Sequence, residues 1–371
     1  MQNAGIRAGV AGLVMVGTLG QGAEPREDAV EHRTVRLCDR VQAHSRPDGA
    51  PKRSDVSMRL FRETKDGREF EMGKAFHITR ADWCYIYGSK DKAAYIRKAK
   101  AHGWAFQGAM NAVTYKPEQA IKLRDGKPML DHFKKPGRYW ADMNNEDYRK
   151  WYVEKMKEWI DLGADSIQRD EPTTVGKTSV STAVKFFQDV HARFEKLVGR
   201  KVPLSCNMKR GFAYGGREPV NRLFDFGMAE FYRQYLNPEL IREAAADAER
   251  RGKSLIYTGG GPMKNREIRV AIAGSYANGI NYIVPWDQFT GIGRPRLFAK
   301  PEDLADLYGF VRATAHYLDG YEAADAHIPI VLRPKAVRHN LANVLFAGRA
   351  FTVVMVSRSK DGGFGVGGNG E

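Results

Sequence analysis

Residues 151–172, "WYVEKMKEWIDLGADSIQRDEP", contain the structural unit from which most of the chain is built. Within it, Tyr152, Met156 and Ile160 recur at the spacing of one face of an α-helix. Gly163 follows at the position where helices commonly end in a left-handed turn. The segment after this glycine has the length and composition of a buried strand, and it ends in two adjacent acids. The stretch therefore predicts an amphipathic helix, a tight turn and a strand.

The same unit occurs five times along the chain. Each copy has a stretch with helical periodicity, a glycine that suits a helix C-cap, and a short apolar strand. The glycines at these junctions are Gly103, Gly163, Gly199, Gly252 and Gly279. Strands that alternate with helices in this way are typical of a parallel sheet.

We predict eight strands in all, which is the number found in a (β/α)8 TIM barrel. They lie at 74–83, 104–111, 138–144, 164–171, 202–208, 223–232, 254–260 and 281–289. The competing α/β architecture is a doubly wound open sheet, but no Gly-rich phosphate-binding turn follows the first predicted strand. The sequence therefore favours a TIM barrel with a short C-terminal β appendage.

Composition divides the chain into four parts. We predict a signal peptide at 1–23, an irregular segment at 24–71 that forms an extra strand or cap, the barrel at 72–322, and a partial β segment with a Gly-rich tail at 323–371. The last part contains three strand-like runs, which are too few for an independent domain.

The first residues have the layout of a secretory signal peptide. Arg7 precedes an apolar and Gly-rich stretch, and small residues follow before charged ones. The apolar stretch is too short to span a bilayer, and no later stretch approaches the roughly 20 apolar residues of a membrane helix. We therefore expect a secreted or periplasmic protein without stable membrane insertion.

The charge balance indicates an acidic partner, because 59 Lys and Arg residues face 44 Asp and Glu residues and the net charge is +15. A sulfated or uronate-bearing polysaccharide would meet this requirement. No homeodomain, zinc-finger or RNP pattern occurs, so we do not expect nucleic acid as the partner. The nine histidines show neither H-x-H nor HExxH spacing, so we expect no dedicated metal site, and we expect no redox cofactor.

In a TIM barrel the active site lies at the C-terminal ends of the strands. Seven of the eight predicted strands place an Asp, Glu or Asn there, with Trp and Tyr residues interleaved. One such acid alone would be explained as a helix N-cap, but caps do not require the aromatic residues, which suit the faces of a sugar ring. We expect substrate binding by Arg80, Asp82, Trp83, Asn111, Trp140, Asp142, Asn207, Tyr232, Trp286 and Asp287. For Arg80, an ion-paired position in the core remains the alternative.

Glycoside hydrolysis requires two carboxyl groups that flank one bond, one as proton donor and the other as nucleophile or base. Asp170 ends the fourth predicted strand, and Glu230 interrupts the apolar sixth strand just before its end. Glu171 lies next to Asp170 and is a further candidate. The sequence therefore supplies three candidate catalytic carboxyl groups.

Two stretches carry a resemblance to barrel glycoside hydrolases, over about residues 72–320. Residues 138–172 resemble the third and fourth units of such enzymes, and residues 276–289, "YANGINYIVPWDQF", resemble the last unit. Similarity to the alpha-galactosidase-like group implies Asp170 as nucleophile and Glu230 as acid/base. In another large group, a Glu in an Asn-Glu-Pro motif is the acid, and Glu171 in "DEP" looks like that residue. The seventh strand, however, ends in "TGGG" and offers no partner for it.

The sequence thus predicts a glycoside hydrolase acting on a polysaccharide or oligosaccharide. A carbohydrate-binding barrel without catalysis is one alternative. A barrel lyase or aldolase is the other, and it would require a Schiff-base lysine or a phosphate site, whereas no predicted strand interior contains a lysine.

The signal-peptide interpretation has a direct test. N-terminal mass spectrometry of the protein recovered outside the cytoplasm of its native host should find a chain that begins after about residue 23. An exported chain that retains Met1, or a mature protein confined to the cytoplasm, would contradict the interpretation.

Overall fold

The computed structural model describes residues 49–173, 178–213, 216–232, 238–260, 263–290 and 294–319, together with five short strands beyond residue 321. The predicted signal peptide, at residues 1–23, lies outside the described residues.

The described chain forms a (β/α)8 TIM barrel, as predicted. Eight strands form one sheet with parallel pairing throughout, in the order of the chain. They are β1 Ser57–Met58, β2 Arg80–Cys84, β3 Ala105–Met110, β4 Ser166–Arg169, β5 Leu204–Asn207, β6 Phe226–Tyr232, β7 Ser254–Gly260 and β8 Asn281–Tyr282. One helix follows each strand: α1 Arg68–Ala75, α2 Lys92–Ala101, α3 Glu146–Asp161, α4 Val180–Val198, α5 Glu218–Asn221, α6 Pro238–Arg250, α7 Asn265–Ala277 and α8 Pro301–Ala313.

The ring closes between its first and last strands. Met58 of β1 forms a parallel bridge with Val284, two residues beyond β8, and the Val284 amide donates to the Ser57 carbonyl at 2.7 Å. On its other side β1 pairs with β2, where Ser57 lies opposite Arg80. The short first strand therefore brings the C-terminal ends of all eight strands to one rim.

One predicted strand is wrong. Of the segment 138–144, only Tyr139–Trp140 forms a strand, and it pairs antiparallel with Val113–Thr114 in the connection between β3 and α3 rather than with the barrel. The first barrel strand is instead β1, which lies in the segment 24–71 where an extra strand or cap was predicted. Because one strand is lost and one is gained, Asp170 still follows the fourth strand and Glu230 still lies on the sixth.

The helices cover the barrel in the way the repeated unit predicts. In α3, the Asn145 side chain caps the first turn by accepting from the Tyr148 amide at 2.9 Å. The buried face of this helix contains Tyr148, Tyr152, Val153, Met156 and Trp159. All five junction glycines have positive φ, between 63° and 105°, which confirms the left-handed turns that end the helices.

Below the rim, a buried glutamine ties three strands together. The Gln107 amide on β3 donates to the Ser205 hydroxyl on β5 at 3.0 Å, and its oxygen accepts from the Trp83 amide on β2 at 3.1 Å. These bonds satisfy polar groups that are fully buried, so they fix the heights at which the three strands end.

Beyond α8 the chain has a further short helix, Ala315–Leu318, and five short strands. Glu322–Ala323, Met355–Arg358 and Phe364–Gly367 form one antiparallel sheet, and Ile330–Leu332 pairs with Val337–His339. The predicted domain boundaries remain predictions. Among the described helices, none is both long enough and apolar enough to cross a membrane.

The contact between α3 and β3 makes Gly108 a sensitive position. A Cβ at this residue would lie 2.4 Å from a ring carbon of Trp159, closer than real Cβ contacts allow. We expect Gly108→Ala to reduce the free energy of unfolding by about 3 kcal/mol through overpacking. Gly103→Ala is the control, because nothing lies within 4 Å of its Cβ position and only its positive φ of 78° is strained, which costs about 1 kcal/mol. Urea denaturation of both variants checks the order, and an equal loss in the two would contradict the packing argument.

Candidate active site

A cavity of about 1020 Å³ opens at the C-terminal rim of the barrel. Its wall is built by residues at or after the ends of β1 to β6, by the loop between β3 and α3, and by the segment that follows β8. All three candidate catalytic carboxyl groups, Asp170, Glu171 and Glu230, line it. This is where the sequence predicts the active site.

Asp170 is held in place by donors at the ends of two other strands, β2 and β5. The Tyr85 hydroxyl donates to Oδ2 at 3.0 Å, and the Asn207 amide donates to Oδ1 at 3.1 Å. The backbone amide of Asp170 donates to the Met110 carbonyl at 2.8 Å. Because each carboxylate oxygen accepts a bond, the side chain has one orientation, with its remaining lone pairs available in the cavity.

Tyr85 is in turn positioned by residues around it. The indole nitrogen of Trp83 donates to the Tyr85 hydroxyl at 3.3 Å, and the hydroxyl also contacts Oδ1 of Asn111. Burial, followed by the charge of Asp170, raises the pKa of Tyr85 well above its usual value. The hydroxyl therefore keeps its proton and remains a donor near neutral pH.

Glu171 is protonated near neutral pH. Burial and the negative charge of Asp170 raise its pKa to about 8, although Arg169 and Arg138 oppose the shift. Glu230 also raises the pKa of Glu171, so the carboxyl groups on β6 and after β4 influence one another across the cavity. A carboxyl group that keeps its proton at neutral pH can act as a general acid.

Next to Glu171 lies His132, whose Nδ1 is 3.2 Å from Oε1 of the glutamate. Burial lowers the pKa of His132. Since His132 is neutral and Glu171 is protonated near pH 7, their contact is not an ion pair under those conditions. The His132 ring packs against Phe133 and Trp140, with centroid separations of 4.1 Å and 5.4 Å. Trp140, a predicted substrate-binding residue, therefore packs against His132.

The cavity brings together six of the predicted site residues: Trp83, Asn111, Asp170, Glu171, Asn207 and Glu230. Trp286 and Asp287 instead line a neighbouring hollow of about 500 Å³, which shares Arg62 and Arg296 with the main cavity. For Tyr232 the structure describes the backbone, which ends β6, and the side chain lies outside the described residues.

Four further predicted substrate-binding residues line neither the cavity nor the hollow, and their roles must be corrected. Trp140, described above, is one of them, and the others are Arg80, Asp82 and Asp142. Arg80 and Asp82 form a buried bidentate pair with two contacts of 3.0 Å, and Asp82 also accepts from the Ser57 hydroxyl at 2.7 Å. For Arg80, the ion-paired core position is thus the correct alternative. Asp142 accepts from the amide of Asn144 at 2.9 Å and forms the turn that precedes α3.

Sequence reasoning missed several residues of the cavity wall. Arg59, Phe61 and Arg62 follow β1, which lies in the segment predicted to be irregular. The available signal was the alternation of Val56, Met58 and Leu60, all fully buried, with more polar residues between them. Tyr85 and His132 are among the other wall residues that the sequence analysis does not predict.

The backbone is strained around this rim. Trp83, Glu171, Lys209 and Asp287 all have positive φ, between 48° and 57°, although none is glycine. Such conformations cost about 1–3 kcal/mol each and concentrate at functional sites. In the described part of the chain, no group of three or more His, Cys, Asp or Glu residues could hold a metal ion.

No protein-family model and no curated protein matches the chain. Solved structures do resemble it. Eubacterium rectale Amy13B aligns with a TM-score of 0.51 and 8% identity over 88% of this chain and 87% of its own. An alpha-amylase from Lactobacillus plantarum aligns with a TM-score of 0.50 and 9% identity over 76% and 84%.

The glycoside hydrolase domain of PelA from Pseudomonas aeruginosa aligns with a TM-score of 0.44 and 10% identity over 63% and 94%. The alpha-amylase from Lactobacillus plantarum, at a TM-score of 0.50, thus shares the fold of this chain. The predicted resemblance is confirmed, and at these identities it concerns the fold.

The raised pKa of Glu171 makes stability depend on pH. Between about pH 4.5 and 8 the folded protein holds this proton more tightly than the unfolded chain, so stability falls as pH rises through that window. Because of this group, the unfolding free energy of the wild-type chain should fall by an amount on the order of 4 kcal/mol between pH 5 and pH 8.5. Glu171→Gln should remove this fall.

Guanidinium denaturation at the two pH values measures this difference. Glu118→Gln is the matched control, since Glu118 is exposed and lies outside the cavity. The prediction fails if Glu171→Gln and Glu118→Gln keep the same pH dependence as the wild-type chain.

Proposed function

We propose that the chain is a glycoside hydrolase that cleaves O-glycosidic bonds of a polysaccharide or oligosaccharide. The observation that carries the proposal is the set of three carboxyl groups in one cavity, of which Asp170 is fixed by two side-chain donors and Glu171 is protonated near neutral pH. Hydrolysis of an acetal requires one ionised and one protonated carboxyl group on either side of the scissile bond.

Asp170 is proposed as the nucleophile. Its carboxylate would attack the anomeric carbon, while the acid protonates the departing glycosidic oxygen; water, activated by the same acid in its ionised form, would then release the sugar. Tyr85 and Asn207 support this role, because they hold the carboxylate in a single orientation throughout.

Glu230 is proposed as the acid/base. It lies on β6, two strands from β4 in the ring, so a sugar bound in the cavity can lie between it and Asp170. Glu171 is the competing candidate, because it has the raised pKa that a proton donor needs. If Glu171 donates the proton, its ionisation above about pH 8 should slow the reaction.

Aromatic side chains in the wall support a sugar as the substrate. Phe61, Tyr85 and Tyr87 pack against one another with ring centroids 5.1–5.8 Å apart, and all three line the cavity. Tyr87 is 43% exposed, so part of its ring is available to the C–H face of a sugar.

The alternatives have less support. None of the eight described barrel strands contains a lysine, so they offer no Schiff-base residue to an aldolase. A binding barrel without catalysis would retain the aromatic wall but would not need a protonated Glu171 beside a fixed Asp170. Because the first residues have the pattern of a signal peptide, we propose that hydrolysis takes place outside the cytoplasm.

The catalytic roles can be separated with amide variants. Asp170→Asn should lower kcat/KM by about 10⁴-fold or more, because it removes the charge that meets the oxocarbenium-like centre. Glu230→Gln should be similarly slow on natural glycans but largely spared on aryl glycosides with good leaving groups, which need no proton. Reducing-end release and nitrophenol release measure the two cases.

Glu171→Gln decides between the two acids. If Glu230 is the acid, this variant should lose modest activity with all leaving groups, because Glu171 then donates no proton to the substrate. Leaving-group dependence in Glu171→Gln, with an active Glu230→Gln, would transfer the acid role to Glu171. Full activity of Asp170→Asn would contradict the mechanism altogether.

A further inference from the structure

Arg59 is a buried cation in the wall of the cavity. Its side chain lines the cavity, yet the residue is only 5% exposed. The guanidinium lies over the Trp83 ring at 3.7 Å from the ring centroid, and Nε has no hydrogen-bond partner. Within the described ranges, no carboxylate lies within ion-pair distance of it.

A guanidinium stays charged under all ordinary conditions, so its burial without an anion is costly. Stacking on Trp83 offsets part of this cost but satisfies none of the five N–H donors. A buried guanidinium without an ion-pair partner, in the wall of an open cavity, is suited to bind an anionic group of a ligand.

Two further arginines flank the same position. Arg62 and Arg296 line both the main cavity and the neighbouring hollow, and Asp287 lies between them. Nε of Arg62 is 3.6 Å from Oδ2 of Asp287, and Arg296 pairs with Oδ1. Asp287 thus pairs with two of the three guanidinium groups, while Arg59 stays unpaired among the described residues. The three arginines and this one carboxylate together carry a net charge of +2.

The electrostatics of Arg296 agree with this excess. Burial lowers its pKa, and although Asp287 opposes the shift, the charges of Arg59 and Arg62 lower it further. Over the whole cavity wall, eight Lys and Arg residues accompany four Asp and Glu residues, one of which is the protonated Glu171. The cavity wall therefore carries an excess of positive charge.

We propose that Arg59, flanked by Arg62 and Arg296, binds the carboxylate of a uronic acid, so that the substrate is a uronate-containing polysaccharide. A planar carboxylate matches the two parallel N–H donors of a guanidinium edge. This assignment names the substrate class of the active site and rests on the proposed function.

The subsite is close to the reaction centre. Arg59 stacks on Trp83, Trp83 donates to Tyr85 at 3.3 Å, and Tyr85 donates to Asp170 at 3.0 Å. The charged sugar would therefore occupy a position beside the scissile bond rather than a distant one. The hollow of about 500 Å³ that shares Arg62 and Arg296 extends the basic surface to a neighbouring sugar of the polymer.

Binding to the inactive Asp170→Asn variant tests the subsite without turnover. Isothermal titration calorimetry would compare oligomers of galacturonate, glucuronate-containing hyaluronan and alginate with neutral oligomers and with sulfated carrageenan oligomers. At least one uronate oligomer should bind tenfold or more tightly than its neutral counterpart. Adding Arg59→Met should weaken that binding by roughly tenfold to a hundredfold.

Arg97→Met is the matched control, because it removes the same charge from the exposed surface of α2, outside both cavities. It should leave the affinity within twofold. Arg59→Lys, which retains the charge but loses the planar fork, should fall between Arg59→Met and the parent. Arg62→Met is a second variant at an exposed position, where the side chain is 51% exposed, and should weaken binding several-fold.

The proposal is overturned if no uronate oligomer binds, if neutral oligomers bind as tightly, or if Arg59→Met and Arg97→Met have the same effect. Preference for the sulfated oligomers would overturn the carboxylate assignment in favour of a sulfate subsite. Binding without any cleavage by the active chain would instead refute the proposed hydrolysis and leave the Arg59 subsite standing. Cleavage of neutral glycans without uronate binding would refute the Arg59 subsite and leave the proposed hydrolysis standing.

Discussion

Closure of the barrel through the two residues Ser57 and Met58 is the constraint on which the site depends. These residues pair with β2 on one side and reach Val284 on the other, so they join the first and last strands of the ring. The chain then leaves the sheet as Arg59 to Arg62, directly into the wall of the cavity. The same short strand thus closes the fold and delivers the buried cation of the site.

Within the cavity, proximity of like charges sets the chemistry. Asp170, Glu171 and Glu230 lie close enough that the first and last raise the pKa of the second, and burial strengthens the effect. Donors from Tyr85 and Asn207 keep Asp170 oriented in this crowded setting. An environment that drives neighbouring carboxyl groups into different protonation states is what hydrolysis of a glycoside needs.

Much of this could be predicted from the sequence, because helical periodicity and the junction glycines are local signals. Asp170, Glu230 and Asn207 could be predicted because they lie at or near the ends of strands whose apolar runs are clear. β1 was missed because charged residues surround its alternation of Val56, Met58 and Leu60. Arg80 and Asp82 are predicted at the rim, but they lie two residues apart on β2 and form a buried ion pair with each other. Tyr85 and Arg59 act through contacts between distant segments, which no local pattern records.

The measurement that tests the central claim most directly is the release of new reducing ends by the wild-type protein from a panel of acidic and neutral polysaccharides, with the products identified by mass spectrometry. The account predicts oligosaccharides whose masses increase by one water per cleaved bond, because hydrolysis adds water across the glycosidic bond. Products that lack this water would identify a lyase. A polymer that binds tightly and yields no new ends would show a carbohydrate-binding barrel and contradict the account.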